Sequence, residues 1–273
     1  MTSVDRRIVG VGFNADARVA GSRTWLADAE TQRRRLVITA CRPLAEIRLG
    51  VKARDEALPA LCHVLGRAED AVIGLDFAFG IPAAFVRDTT WEAFVGFFPS
   101  RFPTADGFRR ACLRADRGRG LQRVTDEVAQ TPGPLYPVRR FRQTWAGIGR
   151  VLHPLVRDDR VRVLPMQAAD PAKPILIEVC PPATLGARGK GPAYQGTGPA
   201  ARDVRIGILE RLATTSTLAL SGPSIRDRVV ADDAGDALHA ILAAVTAAAA
   251  ARRGFTLMTT RPVRPKVEGW VYA

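Results

Sequence analysis

The stretch Ala71-Val-Ile-Gly-Leu-Asp76-Phe-Ala-Phe-Gly80-Ile-Pro82 is a short apolar segment with one acid near its end, and glycine and proline then break it. Apolar residues at consecutive positions predict a strand that is buried on both faces of a sheet. In open α/β sheets the ligand crevice lies beyond the carboxyl ends of such strands. Asp76 is therefore predicted to lie at a functional crevice, and simple capping of the following turn is the alternative.

The residues before this segment predict three strands, which begin near Ile8, Thr24 and Arg35. Their connections are too short for parallel pairing, which needs a crossover of about a dozen residues, so an antiparallel meander is expected. A helix is predicted over residues 54–67, further strands at 161–164, 174–180, 255–258 and 269–272, and further helices at 200–213 and from about residue 232 to 253. The predicted fold class is α/β, with a mixed sheet of three antiparallel strands extended by parallel ones and flanked by helices.

The segment from Asp88 to Arg160 differs in composition from the rest of the chain. Phenylalanines cluster in its first part, and arginine-rich stretches follow, among them Arg139-Arg140-Phe-Arg142-Gln-Thr-Trp145. We predict a helical insertion at 88–160 within a single domain of residues 1–273. Its aromatic residues either build a local core or, where they alternate with arginine, stack on nucleic-acid bases.

Charge and cysteine usage restrict the class of protein. The formal net charge of +13 and the sequence pI of about 10.8 favour an anionic partner, and nucleic acid is the expected one. The four cysteines form no C-x-x-C pair, so neither a zinc site nor a redox motif is predicted. The apolar runs are too short or too interrupted for a membrane span. We therefore expect no membrane partner and a cytoplasmic location.

Four acids are candidates for catalysis and metal binding. Asp76 and Glu178 end apolar strands, while Asp233 and Asp236 are three residues apart at the predicted start of a helix and share one of its faces. Carboxylate clusters select Mg²⁺ or Mn²⁺, and two such ions about 4 Å apart clamp a phosphodiester for attack by water. Helix capping is the alternative for Asp233 and Asp236. It does not explain Glu178, because an unpaired acid within an apolar strand is costly.

Six blocks of the sequence resemble the domain-of-unknown-function family 429, a set of predicted nucleases with a ribonuclease H-like fold. The blocks are Ile8-Val-Gly-Val-Gly-Phe-Asn-Ala15, Ile73-Gly-Leu-Asp-Phe-Ala-Phe-Gly-Ile-Pro82, Ile177-Glu-Val-Cys-Pro-Pro-Ala-Thr-Leu185, Tyr194-Gln-Gly196, Asp233-Ala-Gly-Asp-Ala-Leu238 and Glu268-Gly-Trp-Val-Tyr272. They span nearly the whole chain in the expected order. The resemblance implies a ribonuclease H-like sheet with the acid cluster at its centre.

The chain departs from the family pattern in its first strand. That strand normally reads Gly-Val-Asp-Phe-Ser-Gly, and its aspartate is the usual first metal ligand of ribonuclease H-like sites. Gly12 stands at that position here, with Asn14 two residues further on and on the same strand face. Asn14 is a weaker candidate ligand through its side-chain carbonyl. The metal site is thus expected to be altered or lost.

Several functions remain open from the sequence. The first is a divalent-metal-dependent nuclease that uses Asp76, Glu178, Asp233 and Asp236. In such a nuclease, the candidates for binding the substrate phosphate are Arg139, Arg140, Arg142, Lys190 and Tyr194. The second is a non-catalytic, basic nucleic-acid-binding protein of the same fold. A lesser alternative is a nucleotide-cofactor enzyme, because Gly10-x-Gly12-x-x-Ala15 is a loose dinucleotide fingerprint, although that motif requires a helix directly after the glycines. The three histidines are interpreted as structural or surface residues.

Overall fold

The structure is a computed structural model and describes residues 6–32, 35–134, 140–186, 193–214, 218–260 and 265–273. Its strands are β1 (Arg7–Gly12), β2 (Trp25–Gln32), β3 (Arg35–Pro43), β4 (Ala71–Leu75), β5 (Arg162–Leu164), β6 (Ile175–Val179), β7 (Leu218–Leu220) and β8 (Val271–Tyr272). Its helices are α1 (Ala20–Arg23), α2 (Leu44–Ile47), α3 (Arg54–Leu65), α4 (Trp91–Arg101), α5 (Ala105–Asp116), α6 (Val124–Val128), α7 (Phe141–Ala146), α8 (His153–Arg157), α9 (Pro181–Thr184), α10 (Pro199–Thr214), α11 (Pro223–Ala231), α12 (Asp236–Arg252) and α13 (Pro265–Glu268). A π-helical turn at Gly147–Leu152 joins α7 to α8.

All eight of these strands form one mixed sheet in the order β5-β6-β4-β1-β2-β3-β7, with β8 also paired to β6. The strands β1, β2 and β3 are antiparallel neighbours, whereas β4 is parallel to β1 and β6 is parallel to β4. The mixed sheet confirms the predicted α/β fold class and is consistent with a ribonuclease H-like fold. Only two residues separate β2 from β3, which requires antiparallel pairing. The strands β4, β6 and β7 reach their parallel partners β1, β4 and β3 through longer stretches of chain that contain helices. The parallel pair β5 and β6 is the exception, with ten residues and no helix between the two strands.

Helices cover both faces of the sheet. One face carries α3 and the helices between residues 91 and 157, whose core includes Trp91, Phe94 and Phe98. The aromatic cluster of the predicted insertion therefore belongs to a core. The other face carries α10, α11 and α12. Helix α12 is alanine-rich and mostly buried, and it lies against the glycines of β1 and β4, where the absence of side chains allows close approach.

Two sequence predictions about the C-terminal part need correction. Residues 255–258 were predicted as a strand but are not in one. The last helix was predicted to start near residue 232, but it begins at Asp236, with Gly235 before it in the left-handed region at φ +75°. The Asp232 carboxylate instead accepts a hydrogen bond from the Ala237 amide at 2.7 Å, so this acid caps the helix.

The parallel strands β1, β4 and β6 bring their carboxyl ends to one edge of the sheet. Helix α12 begins at the same edge, since the Asp236 carbonyl lies against Gly12 while Ala240 and Ala244 lie against Gly10. Residues that follow β1, β4 and β6 therefore meet the first turn of α12.

Among the helices that the structure describes, none combines the length and the apolar composition of a membrane span.

Candidate functional site

A cleft of about 380 Å³ lies at the edge where β1, β4 and β6 end. Asp76, Glu178, Asp236 and His239 are among the residues that line it, with Arg23, Arg140 and Arg142. This is the place where open α/β sheets hold their ligands. The structure thus brings three of the four predicted acids to one cleft.

Asp76 directly follows β4 and is held by a histidine. Its Oδ2 atom lies 2.6 Å from Nδ1 of His239, in the first turn of α12, and Nε2 of that ring lies 2.6 Å from the hydroxyl of Tyr194. A carboxylate only accepts hydrogen bonds, so Nδ1 carries a proton and donates it to Asp76. In the neutral ring Nε2 is then the acceptor for the Tyr194 hydroxyl.

The charge of Asp76 changes the acid–base properties of both partners. Burial on its own lowers the pKa of His239, but the Asp76 carboxylate outweighs it, so the pKa of His239 is raised. Burial, together with the Asp76 charge, raises the pKa of Tyr194. The tyrosine hydroxyl therefore stays protonated at neutral pH and acts as a donor.

Glu178 is paired with an arginine that the sequence analysis did not single out. The fully buried Arg123 contacts both Glu178 oxygens at 2.5 and 2.8 Å and both Asp126 oxygens at 2.8 Å, and it donates to the Glu268 carbonyl at 3.2 Å. All five of its N–H groups are thus used. The Phe79 amide donates to Glu178 at 2.9 Å. Burial raises the pKa of Glu178 and Arg123 partly offsets this.

The two acids at the start of α12 have separate partners. Asp236 accepts a hydrogen bond from Nε of Arg23 at 2.6 Å, and burial raises its pKa while Arg23 partly offsets the effect. Asp233 is half-exposed, and its Oδ1 lies 3.2 Å from Nη2 of the buried Arg205. Arg205 also donates to the carbonyls of Tyr194 at 2.6 Å and Val230 at 2.9 Å. Asp233 therefore helps to anchor the Tyr194 segment, apart from the other three acids.

The end of β1 offers little to a metal ion. The Asn14 side-chain carbonyl accepts a hydrogen bond from the Asp16 amide at 2.9 Å, and the Asp16 carboxylate accepts from the amides of Arg18 and Val19 in the turn before α1. At Gly12 a Cβ atom would lie 3.0 Å from the Ala240 nitrogen, and closer still to the Asp236 carbonyl oxygen. Helix α12 thus occupies the space that an aspartate side chain would need.

Only some of the predicted phosphate-binding residues line the cleft. Arg140 and Arg142 line the cleft, and the Arg142 guanidinium also stacks on Phe141 with 4.7 Å to the ring centroid. Tyr194 lies behind His239 and is buried. Arg139 and Lys190 lie outside the described residues.

Cys180 also lines the cleft. Burial raises the pKa of its thiol to about 12, so it is not a thiolate nucleophile at neutral pH.

The carboxylates do not fit the four-acid metal centre that the sequence predicts. Glu178 is committed to Arg123, Asp233 to Arg205, and position 12 is closed by helix α12. Within the ranges that the structure describes, no three His, Cys, Asp or Glu side chains are arranged to hold a metal ion. The cations that neutralise these acids are instead side chains of the chain itself.

The sequence indicates a structural or surface role for His239 and does not predict its place in the cleft. His239 lies in the cleft between Asp76 and Tyr194, which are 163 and 45 residues away from it in sequence. A weak signal was present, because His239 follows Asp236 by three residues and is otherwise surrounded by apolar residues in the first half of α12. Arg205 gives a similar signal: it shares a helix face with Ala201 and Ile208.

The loose dinucleotide fingerprint lacks its required context. Residues 13–19 separate β1 from α1, and the antiparallel strand β2 follows. A cofactor pyrophosphate would need a helix N-terminus directly after the glycines.

Comparison of the chain with protein-family models, with curated proteins and with solved structures gives no match.

Proposed function

We propose that this chain hydrolyses phosphodiester bonds of nucleic acid in the cleft at the ends of β1, β4 and β6. One observation carries the proposal: a partly exposed carboxylate, Asp76, shares the cleft with the guanidinium groups of Arg23, Arg140 and Arg142. Guanidinium groups bind phosphate oxygens in a bidentate manner. The net charge of +13 supports a polyanionic substrate.

Arg23 is well placed to bind phosphate. It contacts Asp236 through Nε, and its two terminal nitrogens have no hydrogen-bond partner among the residues that the structure describes. Its side chain is 42% exposed. The carboxylate holds the guanidinium in place while leaving its outer donors for a ligand.

In the proposed reaction a water molecule gives a proton to Asp76, and its oxygen bonds to phosphorus. The bond between phosphorus and the leaving sugar oxygen breaks, and that oxygen takes a proton from solvent. The arginines neutralise charge on the non-bridging oxygens as it builds up. A positioned base contributes about 10²- to 10⁴-fold to such a rate. The resemblance implies Mg²⁺ or Mn²⁺, but the donor set fits such a centre poorly, and no step here passes through an ion.

The test is a cleavage assay with labelled single-stranded DNA, double-stranded DNA and single-stranded RNA, each with Mg²⁺, with Mn²⁺ and with EDTA. Wild type is expected to cut at least one substrate, and Asp76→Asn to cut it at least about 100-fold more slowly. Asp55→Asn is the control, because Asp55 is an exposed acid on α3. Equal cleavage by wild type and Asp76→Asn would indicate a contaminating nuclease and refute the proposal.

A second candidate is nucleic-acid binding without catalysis. It is favoured by the fact that each of the four predicted acids already has a protein partner: His239 for Asp76, Arg123 for Glu178, Arg205 for Asp233 and Arg23 for Asp236. Salt-dependent oligonucleotide binding that weakens in Arg140→Gln and Arg142→Gln, with no cleavage under any condition, would support this candidate instead.

A further inference from the structure

His239 makes hydrogen bonds through both ring nitrogens to groups from two other parts of the fold. Asp76 comes from the end of β4, and Tyr194 from the segment before α10. Asp76 and His239 line the cleft, while Tyr194 is 6% exposed and lies behind them. The three side chains form a row from the buried interior to the cleft, which we call the Asp76–His239–Tyr194 relay.

The inner end of the relay is fixed by the backbone around it. The buried Arg205 holds the Tyr194 carbonyl at 2.6 Å and the Val230 carbonyl at 2.9 Å, which ties the Tyr194 segment to α11. The Tyr194 ring lies against Gly235, where a Cβ atom would approach it to 3.0 Å. Tyr194 therefore has little freedom to turn away from His239.

We propose that the relay is a positioning device for Asp76 in the reaction suggested above, and the inference rests on that proposed function. Because the Asp76 carboxylate can only accept, the neutral ring of His239 carries its proton on Nδ1 and donates it to Oδ2 of Asp76, while Nε2 accepts from the Tyr194 hydroxyl. That bond fixes the carboxylate and leaves Oδ1 as the oxygen that takes the proton from water. His239 and Tyr194 are thus positioning residues, which act on the reaction through Asp76.

Two substitutions at one position separate this role from general packing. The amide nitrogen of asparagine reaches the place of Nδ1 and can donate to Asp76, whereas that of glutamine reaches the place of Nε2 and cannot. We expect His239→Gln to lower the single-turnover rate of oligonucleotide hydrolysis about 10- to 100-fold, as loss of an orienting partner does. His239→Asn should lose less than about tenfold. Both variants should bind oligonucleotide with unchanged affinity, because both ring nitrogens of His239 are already hydrogen-bonded, to Asp76 and Tyr194, and neither is left for phosphate.

Equal loss of rate in the two variants, or a loss of affinity that accounts for the lost rate, would overturn the proposal.

Nitrogen-15 NMR of the histidine rings measures the tautomer of His239 independently and does not require activity. The chain has three histidines, so the His239 signal is the one that disappears in His239→Asn. At pH 9 we expect wild type to show the Nδ1–H tautomer, and Asp76→Ala to show a mixture of both tautomers, because the carboxylate that accepts from Nδ1 is gone.

The two proposals fail in different ways. If wild type cleaves no oligonucleotide but His239 shows the Nδ1–H tautomer and loses it in Asp76→Ala, the proposed function is wrong and the positioning role in hydrolysis falls with it, while the hydrogen-bonded row itself stands. If wild type cleaves and His239 shows the Nε2–H tautomer, the relay is wrong and the proposed function is unaffected.

Discussion

Adding a single methyl group at Gly12 should destabilise the protein because helix α12 lies directly over this glycine. A Cβ atom there would lie 3.0 Å from the Ala240 nitrogen, 3.2 Å from the Asp236 carbonyl carbon and closer still to its oxygen. Ordinary contacts begin near 3.4 Å, and the neighbouring atoms are backbone, so α12 or β1 must move. Overpacking of this kind costs about 1–3 kcal/mol, and we expect Gly12→Ala to fall at the upper end.

The matched control is Gly207→Ala on the exposed surface of α10, where no atom beyond the neighbouring backbone of the helix lies within 4 Å of the added carbon. Alanine is favoured over glycine in a helix, so this variant should gain up to about 1 kcal/mol. Urea unfolding followed by circular dichroism measures both free energies of unfolding. A Gly12→Ala variant within about 0.5 kcal/mol of wild type would refute the close packing of α12 on β1. Gly12→Asp should then be at least as unstable as Gly12→Ala, and should not restore a metal ligand.

Three further outcomes follow from the buried and charged groups. Glu178→Gln should lower the free energy of unfolding by about 3–5 kcal/mol, since it leaves the charge of the buried Arg123 only partly neutralised. Glu210 is in an exposed ion pair, so Glu210→Gln should change the free energy of unfolding by less than about 1 kcal/mol. Urea unfolding of the two variants and wild type measures both differences. Because the folded-state pKa of His239 is raised above about 6.5, its stabilising contribution is complete below that pH and is lost as pH rises through the folded-state pKa. The stability difference between wild type and Asp76→Asn should therefore be larger at pH 6 than at pH 9, and an equal difference would contradict the Asp76–His239 pair. Burial raises the pKa of all four cysteine thiols to about 12, so a disulfide reagent at pH 8 should label native protein far more slowly than urea-unfolded protein.

The arrangement of the central strands could be predicted from the sequence because it rests on local signals. Apolar runs such as residues 71–75 and 175–179 predict strands buried on both faces. The two-residue connection between β2 and β3 allows only antiparallel pairing. Residues 255–258 show the limit of this reasoning. A short apolar segment forms a strand only if a neighbouring strand is available to pair with it, and that depends on the rest of the fold.

The candidate site was predictable only in part. The ends of β4 and β6 indicated Asp76 and Glu178 as residues at a crevice, and both line the cleft. Their partners could not be inferred, because His239 and Arg123 are 163 and 55 residues away in sequence. Whether a carboxylate in an apolar strand binds a metal or a guanidinium depends on which cation the fold brings to it. The obstruction at Gly12 likewise depends on where α12 crosses β1.

The resemblance to predicted nucleases and the geometry of the cleft differ on how the charge of Asp76 is balanced. The family pattern implies divalent ions among several acids. In this chain arginine and histidine side chains contact those acids directly. The prediction of Mg²⁺ or Mn²⁺ can be tested by titrating Mn²⁺ into wild type and into Asp76→Asn. Saturable binding to wild type that is lost in the variant would place an ion beside Asp76.

The most direct test of the account measures affinity and turnover of Asp76→Asn on the same labelled oligonucleotide, in parallel with wild type. Asp76 is proposed to act on water and the arginines of the cleft to hold phosphate, so the variant should bind at least as tightly as wild type and hydrolyse at least about 100-fold more slowly. A variant that loses binding and turnover together, or that retains full turnover, would contradict the assignment of Asp76 as the base in this cleft.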